Sequence, residues 1–281
     1  MIFAMNASDL KDMDYERISR LVYEQCGINL HEGKKELVKA RLGKRLREGN
    51  FKSFGEYYRY VTTDDGTAEL IAMIDSLSTN LTYFFREESH FQKLRTLIAS
   101  MAKMPNKEGL PEKLRIWSAG CSTGEEPYSL AMTVVESLNG SSGDVKIMAT
   151  DISTRVLQTA DKGIFPKDRL NNVPSAILKR YFQMGFGSYE GQFLIKKNIR
   201  GMIRFSRFNL METPPPNYRF DVIFCRNVMI YFDKATQESL VRRFQQCLNK
   251  GGHLFIGHSE SLTGLSHELK YVEPSVYRKQ G

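Results

Sequence analysis

The chain is poor in the residues that staple a fold or anchor it in a membrane. Its 281 residues include four cysteines, Cys26, Cys121, Cys225 and Cys247, none in Cys-x-x-Cys spacing. That scatter signals neither a disulfide framework nor a zinc site, and reduced thiols in a cytoplasmic protein are the expectation. No apolar run reaches the roughly 20 residues that a membrane helix needs, so direct membrane insertion is not expected. The first residues also lack the basic-then-apolar order of a secretory leader. Tryptophan is nearly absent, with Trp117 alone. Acids are the scarcer charge: 32 Asp and Glu against 40 Lys and Arg leave a net +8, which points to an anionic partner.

What is present is concentrated in the stretch from Leu114 to Met132, which reads as a buried strand, a turn of small residues and the start of a helix. Ser118, Ala119, Gly120 and Gly124 let the backbone approach a ligand closely, and a helix N-terminus directs free N–H groups at the same place. Glu125 and Glu126 follow where a pyrophosphate would be repelled, so a cationic nucleotide such as S-adenosylmethionine suits the charge better than NAD. Downstream, Val145 to Thr150 form a short apolar strand that ends in Asp151, a carboxylate able to accept both ribose hydroxyls. A helix N-cap is the competing role for Asp151.

The basic residues cluster early. Lys34, Lys35, Lys39, Arg41, Lys44, Arg45 and Arg47 face the single acid Glu36, in a helical pattern whose apolar arc is Val38, Leu42 and Leu46. The stripe is either a solvated outer face or a docking face for an acidic surface.

Residues 1–76 predict an all-helical domain, with helices over Asp14–Glu24, Lys34–Glu48, Phe54–Val61 and Thr67–Ser76. A linker and connecting helix over 77–113 include a helix from Glu87 to about Met101 and a polar loop from Pro105 to Pro111. From 114 to 281, strands and helices alternate as in a Rossmann-like, doubly wound α/β domain. Its later strands are expected at Met202–Ser206, Val222–Phe224 and His253–Gly257, with an edge strand at Ser275–Arg278. A small antiparallel β subdomain at about 178–202 interrupts the alternation, because Gly185, Gly187 and Gly191 separate two strand-like runs.

Four separated blocks carry a family likeness: Ser78 to Glu87, Trp117 to Tyr128, Phe224 to Phe232, and Gly257-His258-Ser259-Glu260. In order and content they closely resemble the CheR chemoreceptor methyltransferases over nearly the whole chain. The resemblance implies an all-α N-terminal domain, an S-adenosylmethionine-dependent methyltransferase domain and an inserted β subdomain. It also implies methyl transfer to glutamate side chains on the cytoplasmic helices of chemoreceptors in chemotaxis adaptation, with S-adenosylhomocysteine as product and no metal.

Carried over by motif, Asn80, Thr82, Arg86, Ala119, Glu126, Asp151, Asn209, Leu210, Arg226 and Asn227 are implied to bind the cofactor. Arg86 and Tyr231 are implied to orient the acceptor carboxylate. Arg41, Lys44, Arg45 and Arg47 become docking residues for an acidic receptor helix, and the Gly185-Phe186-Gly187 loop resembles relatives that hold a receptor C-terminal pentapeptide. The protein is expected to be a monomer. Two rival classes stay in view: a nucleic-acid methyltransferase, for which the Asn-Pro-Pro-Tyr type of motif is absent, and a cofactor-sensing module without activity. Intact Arg86, Glu126, Asp151 and Tyr231 weigh against the second, and no nucleic-acid partner is expected.

Overall fold

The computed structural model describes residues 9–102, 113–139 and 144–281, so the loop expected over 105–111 lies outside the described residues. The chain divides into two units, one running to Thr79 with Tyr231–Asp233, the other formed by Asn80–Ile230 and Lys234–Gly281.

The first unit is helical: α1 (Asp12–Cys26), α2 (Lys35–Glu48), α3 (Phe54–Val61) and α4 (Thr67–Leu77). These match the expected helices to within a residue or two at each end. Local signals explain the boundaries. Gly27 closes α1 in the left-handed conformation at φ 73°, its N–H bonded to the Tyr23 carbonyl. Ser53 caps α3 by accepting from Glu56 N at 3.1 Å, while Glu56 Oε2 accepts from Lys52 N at 2.7 Å, close to a capping box. Val38, Leu42 and Leu46 are buried along α2, as are Ile18 and Val22 on α1 and Phe54, Tyr57 and Val61 on α3. Each such side chain contributes about 1.5–3 kcal/mol on leaving water.

The second unit opens with α5 (Glu88–Ala102), β1 (Leu114–Ala119), α6 (Glu125–Ser137), β2 (Val145–Asp151) and α7 (Thr154–Lys162). There follow β3 (Ile164–Pro166), α8 (Ser175–Tyr181), β4 (Phe182–Met184), β5 (Gln192–Ile195), α9 (Lys197–Arg200) and β6 (Ile203–Arg207). The chain ends with β7 (Phe220–Cys225), α10 (Lys234–Cys247), β8 (Leu248–Ile256), β9 (Lys270–Glu273) and β10 (Val276–Arg278).

One sheet of seven strands has the order β6-β2-β1-β7-β8-β10-β9. The first five are parallel; β10 runs antiparallel to β8, and β9 antiparallel to β10. Its central strands are apolar on both faces, as a sheet covered by helices requires. Trp117 sits wholly buried on β1, with Nε1 donating to Thr150 Oγ1 at 2.9 Å and its ring packed by Phe208, Phe220 and Phe244. Phe224 and Phe255 stack across β7 and β8 with centroids 4.4 Å apart. Strand order reverses at β1, whose neighbours β2 and β7 lead to opposite sides, and such a switch point opens a crevice at the carboxyl ends of the strands.

Two expectations need correction. The strand read as an edge at Ser275–Arg278 is interior: β10 lies between β8 and β9, and the edge is Lys270–Glu273. The β subdomain expected at about 178–202 is a three-stranded sheet in the order β3-β5-β4, taking one strand from Ile164–Pro166. A run of three residues ending in proline carries no alternation to read.

Candidate active site

The crevice is built at strand ends. Gly120, directly after β1, has φ +84°, and a Cβ there would come within 2.5 Å of Val228 Cγ2, so only glycine lets this turn approach the loop after β7. The Gly120 and Cys121 N–H groups both donate to the Thr150 carbonyl, at 2.8 and 2.9 Å, which ties the ends of β1 and β2 together. Ala119, the last residue of β1, is fully buried.

Asp151, at the end of β2, accepts from Ser122 N at 2.9 Å and from Ser153 N at 3.0 Å. The N-cap of α7 is Ser153, whose hydroxyl accepts from Val156 N at 3.4 Å, so Asp151 is not the helix cap. Ser122 also donates its hydroxyl to the Asn80 carbonyl at 3.0 Å, joining the segment after Thr79 to the turn.

Arg226 is the hub. Its side chain is 2% exposed, with Nη1 3.0 Å from Glu126 Oε2 and Nη2 2.9 Å from Glu87 Oε2. Nη2 also donates to the Arg86 carbonyl, and the guanidinium lies over the Phe91 ring. A surface ion pair is therefore the wrong description of Arg226; it is a buried cation held by two carboxylates. Glu126 accepts from Ser118 Oγ at 2.7 Å as well, which fixes its orientation. Burial pushes the Glu87 carboxyl up, but the charge and hydrogen bond of Arg226 outweigh this and hold it below the usual range.

Asn227 follows β7 in the left-handed conformation, at φ 59°. Its N–H donates to Glu260 Oε2 at 2.9 Å, and the same carboxylate accepts from Gly257 N at 2.6 Å and Ile230 N at 3.2 Å. Glu260 thereby clamps the ends of β7 and β8 together. Burial raises its pKa against the lowering effect of these backbone donors.

The remaining residues expected at the site make more local contacts. Arg86 Nη1 donates to the Leu81 carbonyl at 2.9 Å, and its guanidinium stands 5.9 Å from the Tyr83 ring centroid. Asn209 Oδ1 accepts from Met211 N at 3.0 Å, an Asx-type turn after β6, and Leu210 beside it is buried. Thr82 is half-buried in the Asn80–Glu87 segment. Tyr231 belongs to the first unit, where its carbonyl accepts from Asn29 N at 2.9 Å.

Of the α2 cations, Arg41 donates to the Leu77 and Ser78 carbonyls at 2.6 and 3.1 Å, and Arg45 is bound to Glu69 and Glu48. Lys44 and Arg47 remain outward, Lys44 with a 3.8 Å approach to Glu48.

Sequence reasoning gave no role to Glu87 or Glu260, although both lie inside the quoted blocks. It likewise left Glu125 without a partner. Glu125 is fully buried and bridged by Arg169 at 2.6 Å and Thr123 at 2.6 Å.

Residues 13–78 match the all-alpha domain of the CheR methyltransferases, and residues 80–278 match their SAM binding domain. The chain belongs to the CheR methyltransferase family. Among its relatives, a chemotaxis protein methyltransferase of Borreliella burgdorferi is 42% identical over 99% of this chain and 97% of that protein. The chemotaxis protein methyltransferase of Salmonella typhimurium is 41% identical over 95% of this chain and 90% of its own, and that of Escherichia coli 40% identical over 95% and 91%. As a CheR family member the protein is a methyltransferase, and its second unit carries the S-adenosylmethionine-binding domain. The crevice fits that cofactor: two carboxylates, Glu87 and Glu126, share the one guanidinium of Arg226, so the trio carries negative charge toward a ligand with an ammonium and a sulfonium.

Proposed function

We infer that the protein methylates glutamate side chains on the cytoplasmic helices of chemoreceptors, with S-adenosylmethionine as donor and S-adenosylhomocysteine as product. The observation that carries this reading is the convergence of the turn after β1, Asp151, Arg226–Asn227 and Glu260 at the carboxyl ends of adjacent strands, with acids in excess over bases.

Bound S-adenosylmethionine supplies an electrophilic methyl group on sulfur. Ala119, Gly120 and Asp151 would hold its nucleoside, Asp151 by accepting ribose hydroxyls, with Asn209 and Leu210 beside the adenine. Glu126, Arg226 and Asn227 would hold the methionine end, and Asn80 and Thr82 would close over it. An acceptor glutamate, with an ordinary pKa of about 4.3, is already ionised at neutral pH, so no general base is needed. The protein's task is alignment and exclusion of water. Arg86 would direct the carboxylate by charge and Tyr231 through its hydroxyl. Strong neutralisation by Arg86 would slow the attack, so its role is to position. Tyr231→Phe should therefore lower kcat at least tenfold while the Kd for S-adenosylhomocysteine changes less than twofold; equal losses would refute that role.

Lys44 and Arg47, with Arg41 and Arg45 shaping the same helix, would meet the acidic receptor helix. A receptor C-terminal pentapeptide would join the β subdomain, where Met184 on edge strand β4 and Phe186 and Tyr189 in the following loop are exposed. An edge strand with apolar neighbours suits an extended peptide. We take the protein to act as a cytoplasmic monomer; no helix among the described residues is long and apolar enough to cross a membrane. The direct test is incubation of protein, radiolabelled S-adenosylmethionine and receptor-bearing membranes, followed by alkali. Volatile methanol is expected from a carboxyl methyl ester, and alkali-stable label on receptor would overturn the assignment.

A further inference from the structure

Glu87 and His90, one turn apart at the start of α5, meet His258 from the loop after β8. We propose that they form a binding site for a zinc ion, which shares Glu87 with Arg226. The three residues each offer one ligand atom, and these atoms all lie within 4.8 Å of one another.

His90 is the residue that ordinary packing does not explain. It is 2% exposed, and neither ring nitrogen has a hydrogen-bond partner among the described residues. A buried polar group left in that state destabilises the fold unless something else meets it. Its Nδ1 is 3.5 Å from Glu87 Oε2, long for a hydrogen bond. Two ligands on one tetrahedral ion, with bonds of about 2.0 Å, stand roughly 3.3 Å apart, close to that separation. The His258 ring is edge-on to His90 with centroids 4.6 Å apart, and its Nε2 is 3.1 Å from Ser89 Oγ, a hydroxyl able to orient it. His258 is exposed, which opens a path for entry from solvent.

The donor set selects the ion. Two imidazoles with one carboxylate suit zinc and its transition-metal neighbours, whereas magnesium and calcium demand an oxygen-dominated shell and the cluster offers one carboxylate. Ligation needs a neutral imidazole, and the buried His90 ring offers its nitrogens to no other hydrogen-bond partner among the described residues. The surrounding charge also permits a cation, since Glu87 and Glu126 together exceed Arg226 by one negative charge.

Sharing has a consequence. Glu87 Oε2 faces both Arg226 Nη2 at 2.9 Å and His90 Nδ1 at 3.5 Å. An ion on that oxygen loosens the Arg226–Glu87 pair, so zinc and the cofactor should oppose each other, each weakening the other by the same factor.

The test uses the tag-free full chain and needs no methyl acceptor, so it stands or falls apart from the substrate assignment. Zinc chloride titrated against a chromogenic chelator should show one ion per chain, unaffected by millimolar magnesium. His258→Gln, at an exposed position, should weaken binding at least tenfold, and His90→Gln likewise where its melting curve matches the parent. The exposed His31→Gln should change nothing. No stoichiometric zinc, or equal affinity in the parent and His258→Gln, overturns the site. Saturating zinc should raise the calorimetric Kd for S-adenosylhomocysteine at least threefold in the parent; an unchanged Kd would overturn the sharing of Glu87.

Discussion

The carboxylates of the second unit's crevice and the cations of α2 in the first obey opposite rules. Glu87, Glu126, Asp151 and Glu260 are each fixed by at least two hydrogen bonds or ion pairs, Asp151 buried and the other three half-buried. On α2, the basic residues sort by burial. Arg45 is tied to Glu69, which also accepts from the Tyr57 hydroxyl at 2.8 Å, while Lys44 is 73% exposed and its nearest acid is 3.8 Å away. A buried, many-partnered charge maintains a shape; an exposed charge with one loose partner is available to something else. Treating a stripe of like charges as one surface therefore merges residues that hold the helix domain together with residues that face outward.

Removing the hub should break the crevice side most severely. Arg226→Ala leaves the half-buried Glu87 and Glu126 without their shared counter-charge, and a loss of about 3–5 kcal/mol is expected in urea unfolding, with cofactor affinity falling in step. A drop under about 1 kcal/mol would mean that the two acids relax to solvent and are not preorganised. On the helix side, Arg45→Ala should cost roughly 1–2 kcal/mol by stranding Glu69, whereas Lys44→Ala with Arg47→Ala should leave the melting temperature within a degree or so. If the three substitutions destabilise alike, the sorting by burial is wrong.

A smaller effect separates the two regions by screening. Raising ionic strength from about 0.05 to 0.5 M shortens the Debye length several-fold. Receptor methylation at subsaturating receptor should fall a few-fold, and less so in the Lys44→Ala, Arg47→Ala double variant. The affinity for S-adenosylhomocysteine, assigned in the proposed function to groups in the crevice, should move little over the same range.

Much of this was legible from the chain alone where the signal is local. Leu114 to Met132 forms β1, a turn and α6 because an apolar run, then small residues, then a helix-forming segment specify that order within about twenty residues. Val38, Leu42 and Leu46 likewise mark the buried arc of α2. The network around Arg226 was not legible, because its partners stand 100 and 139 residues away and only the sheet order brings them together. Glu260 reads as one more polar residue in a loop until the neighbouring ends of β7 and β8 give it three backbone donors. The interior place of Val276–Arg278 depends on which strand comes last to the sheet, a matter of tertiary order that a strand's own composition does not encode.

The burial of Trp117 has a practical outcome. Being the single indole of the chain, it should emit at short wavelength in the native protein and shift red only when the second unit opens. Melting of the four N-terminal helices alone should leave that emission unmoved while the far-ultraviolet dichroism changes. One fluorophore thus offers a separate optical readout for the catalytic half of the molecule, with no label attached.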